Sequence, residues 1–171
     1  GAQLYVLGGE DSAGTAQSSV WIFDLQSNEW TSGEPLPEPL ANLAATSLGQ
    51  SIYVAGGSQN SPSAGAEPTL SDQLSRYDLI TGRWEPVNRL PYPVAGAGLV
   101  ADDEALYLVG GWDGRSMRSE IWRYVPGEGS GGNAWQLVGQ LSKGRAFLGA
   151  EVVRGEIYAA GGYDGEHEVD L

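Results

Sequence analysis

Short apolar runs closed by turn residues recur along the whole chain. Between residues 41 and 87 they predict four short strands joined by turns at Gly49-Gln50 and Thr81-Gly82. These strands are Leu43 to Leu48, Ser51 to Ala55, Leu74 to Asp78 and Arg83 to Val87. No stretch keeps the 3.6-residue apolar period of an amphipathic helix. We therefore expect an all-β protein built from four-stranded antiparallel sheets.

Four segments of the sequence resemble one another, and each is an apolar run closed by a glycine pair. They are LYVLGG (Leu4 to Gly9), IYVAGG (Ile52 to Gly57), LYLVGG (Leu106 to Gly111) and IYAAGG (Ile157 to Gly162). A tryptophan precedes the tyrosine of the last three segments by 23 residues each time: Trp30 and Tyr53, Trp84 and Tyr107, Trp135 and Tyr158. Because one inserted residue would turn every later side chain of a strand to the other face, this constant interval predicts a rigid repeat of packed strands.

The sequence resembles the kelch repeat of β-propellers over its whole length. The resemblance is carried by LYLVGGWDG (Leu106 to Gly114), by IYAAGGYDG (Ile157 to Gly165), and by WIFD and SRYD, whose aspartates stand six residues before Trp30 and Trp84. A kelch repeat implies one four-stranded blade for about every 50 residues. The predicted fold is therefore a segment of a kelch-type propeller, divided into blade segments 1–37, 38–91, 92–142 and 143–171.

The resemblance also implies structural roles for the repeated residues. Blades approach closely near the propeller axis, so the glycine pairs and small residues of the first strands (Ala44, Ala45, Ala97, Gly98, Gly149, Ala150) are expected there. The tryptophans are expected to fill the wedge between diverging blades. The structural set is Tyr5, Gly8, Gly9, Trp30, Tyr53, Gly56, Gly57, Trp84, Tyr107, Gly110, Gly111, Trp135, Tyr158, Gly161 and Gly162.

A closed propeller needs about four to eight blades, and this chain is too short to close a ring alone. We expect the remaining blades to come from a longer chain, from another copy or from another subunit. An exposed strand edge would otherwise invite aggregation.

Composition narrows the classes of partner. The 171 residues carry a net charge of -13, with 22 acidic and nine basic residues, and all of the basic residues lie at or beyond Arg76. A nucleic-acid backbone demands clustered lysine and arginine, so we expect no nucleic-acid partner. No apolar run is long enough for membrane insertion. The chain has no cysteine, which excludes disulfides and thiolate metal sites, and we expect no cofactor.

Loops of variable length over a constant scaffold favour one side of the disc as a binding surface. The loops from the second to the third strand of each blade, and the connections between blades, are expected on that side. The seven-residue stretch 127–133 is expected on the opposite side. In kelch proteins that bind acidic peptides, the residue after the glycine pair faces the partner, which implies Glu10, Ser58, Trp112 and Tyr163 here.

The same resemblance implies a partner-facing arginine thirteen residues before each repeat tyrosine. Leu40, Val94 and Arg145 occupy that position, so only one arginine is kept. This departure argues against a fully basic pocket for an acidic peptide. Aromatic and guanidinium groups are expected to converge in one cluster, formed by Trp112, Arg115, Arg118, Arg145 and Tyr163. The alternative is that these arginines are solvated surface residues.

The leading functional prediction is a non-catalytic module that binds a protein partner. The alternative, also from resemblance, is a carbohydrate-active or carbohydrate-binding propeller of the sugar isomerase-like type. A copper oxidase is excluded because it needs two histidines and a cysteine, whereas this chain has His167 alone and no cysteine. The acidic loops lack the regular aspartate spacing of a calcium loop, and their acids are assigned to solubility. One lysine against eight arginines, with abundant Gly and Ala, is typical of a GC-rich genome, and we expect a bacterial extracytoplasmic protein.

Overall fold

The computed structural model describes residues 2–60, 67–127 and 134–169, and these residues form thirteen strands and no α-helix. The first sheet contains β1 (Gln3–Leu7), β2 (Val20–Asp24) and β3 (Glu29–Ser32). The second contains β4 (Ala44–Leu48), β5 (Ser51–Ala55), β6 (Gln73–Asp78) and β7 (Arg83–Arg89). The third contains β8 (Gly98–Ala101), β9 (Leu106–Val109), β10 (Glu120–Tyr124) and β11 (Trp135–Gln140), and the fourth contains β12 (Gly149–Val153) and β13 (Glu156–Ala160).

All strand pairs are antiparallel, and the strands of each sheet follow one another in sequence order. The predicted all-β class and four-stranded sheets are confirmed. The repeat tyrosines occupy equivalent places in the strands that precede the glycine pairs, which are β1, β5, β9 and β13: Tyr5 pairs with Ile22, Tyr53 with Arg76 and Tyr107 with Arg123. The strand β7 extends two residues beyond its predicted end at Val87, because its ladder with β6 resumes after a bulge and pairs Gln73 with Arg89.

The second, third and fourth sheets touch through their first strands, since β8 contacts both β4 and β12. Small residues make this approach possible. A Cβ atom added at Gly98 would lie 2.7 Å from the Cβ atom of Ala150 in the next sheet. The predicted close approach of small first-strand residues is therefore present between the third and fourth sheets.

A backbone hydrogen bond joins each of the first three sheets to the next, and we call it the glycine joint. The N–H of Gly9, of Gly57 and of Gly111 donates at 2.8 Å to the carbonyl oxygens of Leu40, Val94 and Arg145, respectively. The preceding glycine admits this contact, since a Cβ atom at Gly56 would lie 2.2 Å from the Val94 oxygen. The repeated glycines thus bring backbone against backbone.

The main core lies between the second and third sheets, where Leu74, Leu106 and Leu108 are fully buried. Trp135 is 8% exposed and stacks on Tyr124 with ring centroids 5.1 Å apart. These contacts agree with the predicted wedge role of the tryptophan.

Trp84 packs into the space between the first and second sheets. It is half-buried, stacks against Tyr77 with centroids 5.0 Å apart, and donates its indole N–H to the Glu34 carbonyl at 2.9 Å. Trp30 departs from the predicted role because 52% of it is exposed. Its face of the first sheet has no neighbouring sheet among the described residues.

Two predicted loop features fall wholly or partly outside the described residues. The stretch 127–133 is described only at Gly127, and the connection between Ser58 and Ser71 is described on either side of residues 61–66. Each sheet lies within one of the four predicted blade segments, whose boundaries remain predictions. Across the described part of the chain, no helix has the length and apolarity needed to cross a bilayer.

Candidate protein-interaction surface

Pairs of backbone hydrogen bonds hold the residue after each of the last three glycine pairs beside the residues that precede the sheet's first strand. Ala95 and Trp112 exchange two such bonds at 2.9 Å, and Ala146 and Tyr163 exchange two at 2.9 and 2.8 Å. Ser58 pairs with Ala41 in the same way. The loops after the second strands therefore lie on the same side of the molecule as the connections that begin the first strands.

In the loops after β9 and β13, the aspartate two residues after the glycine pair holds the turn closed. An Asp113 oxygen accepts hydrogen bonds from the backbone N–H groups of Arg115 and Ser116 at 2.9 and 2.8 Å. Asp164 does the same for Glu166 and His167 at 2.8 and 2.7 Å. Such turns fix the direction of the loop backbone. Asp113 and Asp164 are thus structural, and for Asp164 this is a role that the assignment to solubility missed.

The loops after β9 and β13 and the connection between the third and fourth sheets enclose an open cleft of about 760 Å³, which we call the loop cleft. Three residues of the predicted partner-binding set line it: Trp112, Arg115 and Tyr163. Tyr163 is 37% exposed, and its hydroxyl donates to the Gly165 carbonyl at 2.8 Å. The other lining residues are Ser116, Met117, Lys143, Gly144, Asp164, Gly165 and Glu166.

An ion pair between Lys143 and Asp164 crosses the loop cleft. The Asp164 side chain is 5% exposed. The Lys143 ammonium, followed by the N–H groups of His167 and Glu166, holds the pKa of the Asp164 carboxyl well below its usual range. Asp164 is therefore ionised at neutral pH, and Lys143 is largely neutralised by it. Sequence reasoning missed this pair, although the shared GGxDG motif marks the aspartate.

Two exposed cations line the loop cleft, Lys143 and Arg115, and within the described ranges Arg115 forms no ion pair. Its backbone is fixed by Asp113 while its guanidinium remains in solvent. An arginine of this kind, beside the aromatic rings of Trp112 and Tyr163, matches the composition of interface hot spots.

Arg118 lies outside the loop cleft, in the space between the second and third sheets. Its guanidinium bonds to Asp113 at 3.2 Å and to Glu120, and its Cζ atom stands 4.6 Å above the Tyr92 ring centroid. Burial raises the pKa of the Tyr92 hydroxyl. These contacts occupy Arg118 within the fold, so the predicted convergence of all three arginines on one cleft does not occur.

The remaining predicted binding residues are also separate from the loop cleft. The Arg145 guanidinium donates to the Gly161 carbonyl at 3.3 Å and is partly buried. Ser58 is 4% exposed, so its side chain does not reach the surface expected for it. Glu10 is exposed on the first sheet, at the repeat position equivalent to Trp112.

The described residues place no group of three or more His, Cys, Asp and Glu side chains where it could hold a metal ion. His167 is exposed and serves the Asp164 turn through its backbone N–H.

Comparison with known proteins identifies the repeat. The KLHDC2/KLHL20/DRC7 Kelch-repeats domain model matches residues 1–162. Kelch-like protein 25 of Xenopus tropicalis is 28% identical over 167 residues, which is 95% of this chain and 27% of that protein. Kelch-like protein 35 of Mus musculus is 32% identical over 129 residues, 74% of this chain and 20% of the relative. Beta-scruin of Limulus polyphemus is 31% identical over 109 residues, 64% of this chain and 12% of the relative.

The fold has a solved counterpart. The structure of YjhT superimposes with a TM-score of 0.76 at 19% sequence identity, covering 95% of this chain and 56% of that one. The chain spans about a quarter or less of the length of the three curated relatives named above. The family model covers nearly the whole sequence and agrees with the sheets and glycine joints. The chain therefore belongs to the kelch-repeat family.

Proposed function

We propose that this chain is part of a non-catalytic scaffold that binds a protein partner through the loop cleft. The observation that carries the proposal is that the exposed Arg115 lines one cleft together with two aromatic residues, Trp112 and Tyr163, on loops whose backbones are fixed. Loops held by a rigid frame lose little conformational entropy when a partner binds.

Membership of the kelch-repeat family supports a scaffold role, because relatives such as the Kelch-like proteins and the scruins share the repeat. The charges of the cleft refine the expected partner. Lys143 is paired with Asp164, which leaves Arg115 as the cation of the cleft without an ion pair among the described residues, beside the exposed acidic residue Glu166. We infer a partner segment that offers an apolar side chain beside one carboxylate, and not a run of acidic residues.

The test begins with a partner captured by the wild-type chain and then purified. Its dissociation constant is measured by calorimetry against the Tyr163→Ala and Arg115→Ala variants. We expect each to weaken binding by about 30-fold or more, since hot-spot truncations cost about 2 kcal/mol. The matched control is Arg83→Ala, which removes an exposed arginine at the start of β7, outside the loop cleft.

Hydrogen exchange of the complex gives an independent readout. Protection of residues 112–118 and 163–167 would support the loop cleft as the interface. A partner that binds both cleft variants as tightly as the wild type, with protection on another surface, would refute the proposal.

We also infer that further blades cover the open face of the first sheet. Leu4, Val6, Trp21 and Trp30 lie on this face and are 44 to 53% exposed. On the equivalent face of the second sheet, which the first sheet covers, Ile52 is 8% and Val54 is 2% exposed. Large apolar side chains exposed together on one face of a sheet indicate an interface.

The covering blades come from a longer chain, another copy or another subunit, and sedimentation separates these sources. Self-association that Trp21→Glu abolishes would support another copy. A chain that stays monomeric at every concentration, with Trp21 solvent-exposed by fluorescence quenching, requires one of the other two. If Trp21 is shielded in a monomeric chain, the inference fails.

A further inference from the structure

The glycine joints define an equivalent position in three connections between sheets. The carbonyl oxygens of the joints belong to Leu40, Val94 and Arg145. The residues two positions earlier are therefore equivalent too, and we call them the anchor residues: Glu38, Tyr92 and Lys143. They are an acid, an aromatic residue and a base, so the position has no common side-chain chemistry.

The loops beside the anchor residues have equivalent ends. Each loop begins at the second glycine of a pair, and a backbone N–H at its far end donates to the carbonyl oxygen of that glycine. These bonds join Ser71 to Gly57 at 2.9 Å, Arg118 to Gly111 at 2.7 Å and Val169 to Gly162 at 2.8 Å. Two residues after the glycine stand Gln59, Asp113 and Asp164. An anchor residue therefore has the same two loop ends to contact in each of the last three sheets.

Two anchor residues contact their loops through different interactions. The Glu38 carboxylate accepts hydrogen bonds from the Ser71 hydroxyl at 2.6 Å and from the Gln59 side-chain amide. The Tyr92 ring instead packs against a cation, the guanidinium of Arg118, whose Cζ atom is 4.6 Å from the ring centroid. The contact between anchor and loop is kept while its chemistry changes.

The third contact, between Lys143 and Asp164, joins the loop of the fourth sheet to the connection before that sheet. Asp164 Oδ1 accepts the N–H groups of Glu166 and His167, whereas Asp164 Oδ2 accepts a hydrogen bond from the Lys143 ammonium. Without the ammonium, a carboxylate that is 5% exposed would have lost its counter-ion. We expect it to rotate towards water, which costs the loop its two turn hydrogen bonds.

We propose that Lys143 is a positioning residue for the partner-binding loop 163–167, and that Glu38 and Tyr92 act in the same way on the loop residues that they contact. Lys143 holds the loop against the connection, so that Tyr163 keeps its place in the loop cleft. The role in binding rests on the proposed function, whereas the attachment of the loop can be measured without a partner.

The different chemistries imply different responses to salt. The Lys143 side chain is 58% exposed, so added salt screens its attraction for Asp164. Glu38 is held by uncharged donors, whose hydrogen bonds depend less on ionic strength. At about 1 M sodium chloride, where the screening length is about 3 Å, we expect loop 163–167 to loosen and the Ser71 amide to keep its protection.

Amide hydrogen exchange of the whole chain, read by NMR, is the first test. Lys143→Met keeps the aliphatic stem and removes the charge, and we expect the Glu166 and His167 amides to exchange about three- to tenfold faster. Lys143→Arg should restore the wild-type rates. The amides of β13 should be unchanged, which separates loosening of the loop from a general loss of stability.

The matched control is Arg154→Met, which removes an exposed cation from the turn between β12 and β13, at the other end of that hairpin. The amides of Arg115 and Ser116, which bond to Asp113, are the internal control. Unchanged exchange at Glu166 and His167 in Lys143→Met would overturn the proposal. Equal acceleration in Arg154→Met, or at the internal control amides, would overturn it as well.

Affinity for the purified partner is the second test. We expect Lys143→Met to weaken binding about three- to tenfold and Lys143→Arg to bind as the wild type does. If Tyr163→Ala weakens binding but Lys143→Met, with its faster loop exchange, does not, the positioning role is wrong. If Arg115→Ala and Tyr163→Ala both leave the affinity unchanged, the proposed function fails, and the exchange rates still decide whether Lys143 holds the loop.

Discussion

Replacing Gly56 by alanine tests whether the glycine joint holds adjacent sheets together. Gly56 has φ +62°, and a Cβ atom there would lie 2.2 Å from the carbonyl oxygen of Val94, where ordinary contact begins near 3.4 Å. The next sheet must therefore move away by about 1 Å. This movement strains the neighbouring hydrogen bond from Gly57 to Val94.

The Gly49→Ala variant is the control that separates the steric effect of the added Cβ atom from the backbone strain at positive φ. Gly49 lies in the turn between β4 and β5 of the same sheet with φ +60°, and an added Cβ atom would meet nothing within 4 Å. Gly49→Ala should cost about 1–2 kcal/mol, the penalty of an alanine in the left-handed region. Gly56→Ala should lose the same amount plus about 2–4 kcal/mol for overpacking and the weakened hydrogen bond.

The assay is the free energy of unfolding from urea titration, followed by tryptophan fluorescence, and checked against the Tm. The extra loss in Gly56→Ala corresponds to about 4–16 °C in a domain of this size. Equal destabilisation by the two substitutions would show that only the backbone angle matters, and the account of the joint would then be wrong.

Three further predictions follow from burial and charge. Trp135→Ala should lower the free energy of unfolding by about 3–5 kcal/mol, whereas Trp30→Ala, at a 52% exposed residue, should cost less than about 1 kcal/mol in the same urea assay. The pKa of Asp164 is lower in the folded chain than in the unfolded chain, where it is about 3.9. Asp164 therefore contributes to the free energy of unfolding above pH ~3.9, and this contribution is lost as the pH falls through the pKa of the folded state. The urea midpoint of the wild type should therefore fall more steeply below pH 4 than that of Asp164→Asn, and parallel curves would contradict this. Arg118→Lys should destabilise the chain by about 1–2 kcal/mol in thermal unfolding, since lysine cannot bond to both Asp113 and Glu120 while stacking on Tyr92; an unchanged Tm would show that this cluster contributes little.

The repeat made the fold predictable. The constant interval from Trp84 to Tyr107 spans sheet-forming residues and a connection of fixed length, so the strands and the wedge tryptophans could be placed from spacing alone. The exposure of Trp30 was not predicted, because burial of a wedge residue depends on the neighbouring sheet, and no spacing within a repeat shows whether that neighbour is present.

The loop cleft was predictable only in part. Trp112 and Tyr163 were found because their position is fixed relative to the glycine pair. Arg115 also lines the cleft as predicted, but Arg118 and Arg145 do not, because a long flexible side chain reaches whichever acceptors surround it. Arg118 is held between the second and third sheets by Tyr92, which is distant in the sequence, and by Glu120, which no motif marks. Arg115 has no such neighbour among the described residues.

The glycine joint leaves the side chain at its acceptor position free to vary. The bond is made by a main-chain oxygen, and leucine, valine and arginine all occupy the place, at residues 40, 94 and 145. A gene that encodes such units can duplicate, lose or exchange one of them without a matching change in its neighbour. Single codon changes can therefore place a different side chain at this acceptor residue, while the backbone hydrogen bond that connects the units is kept.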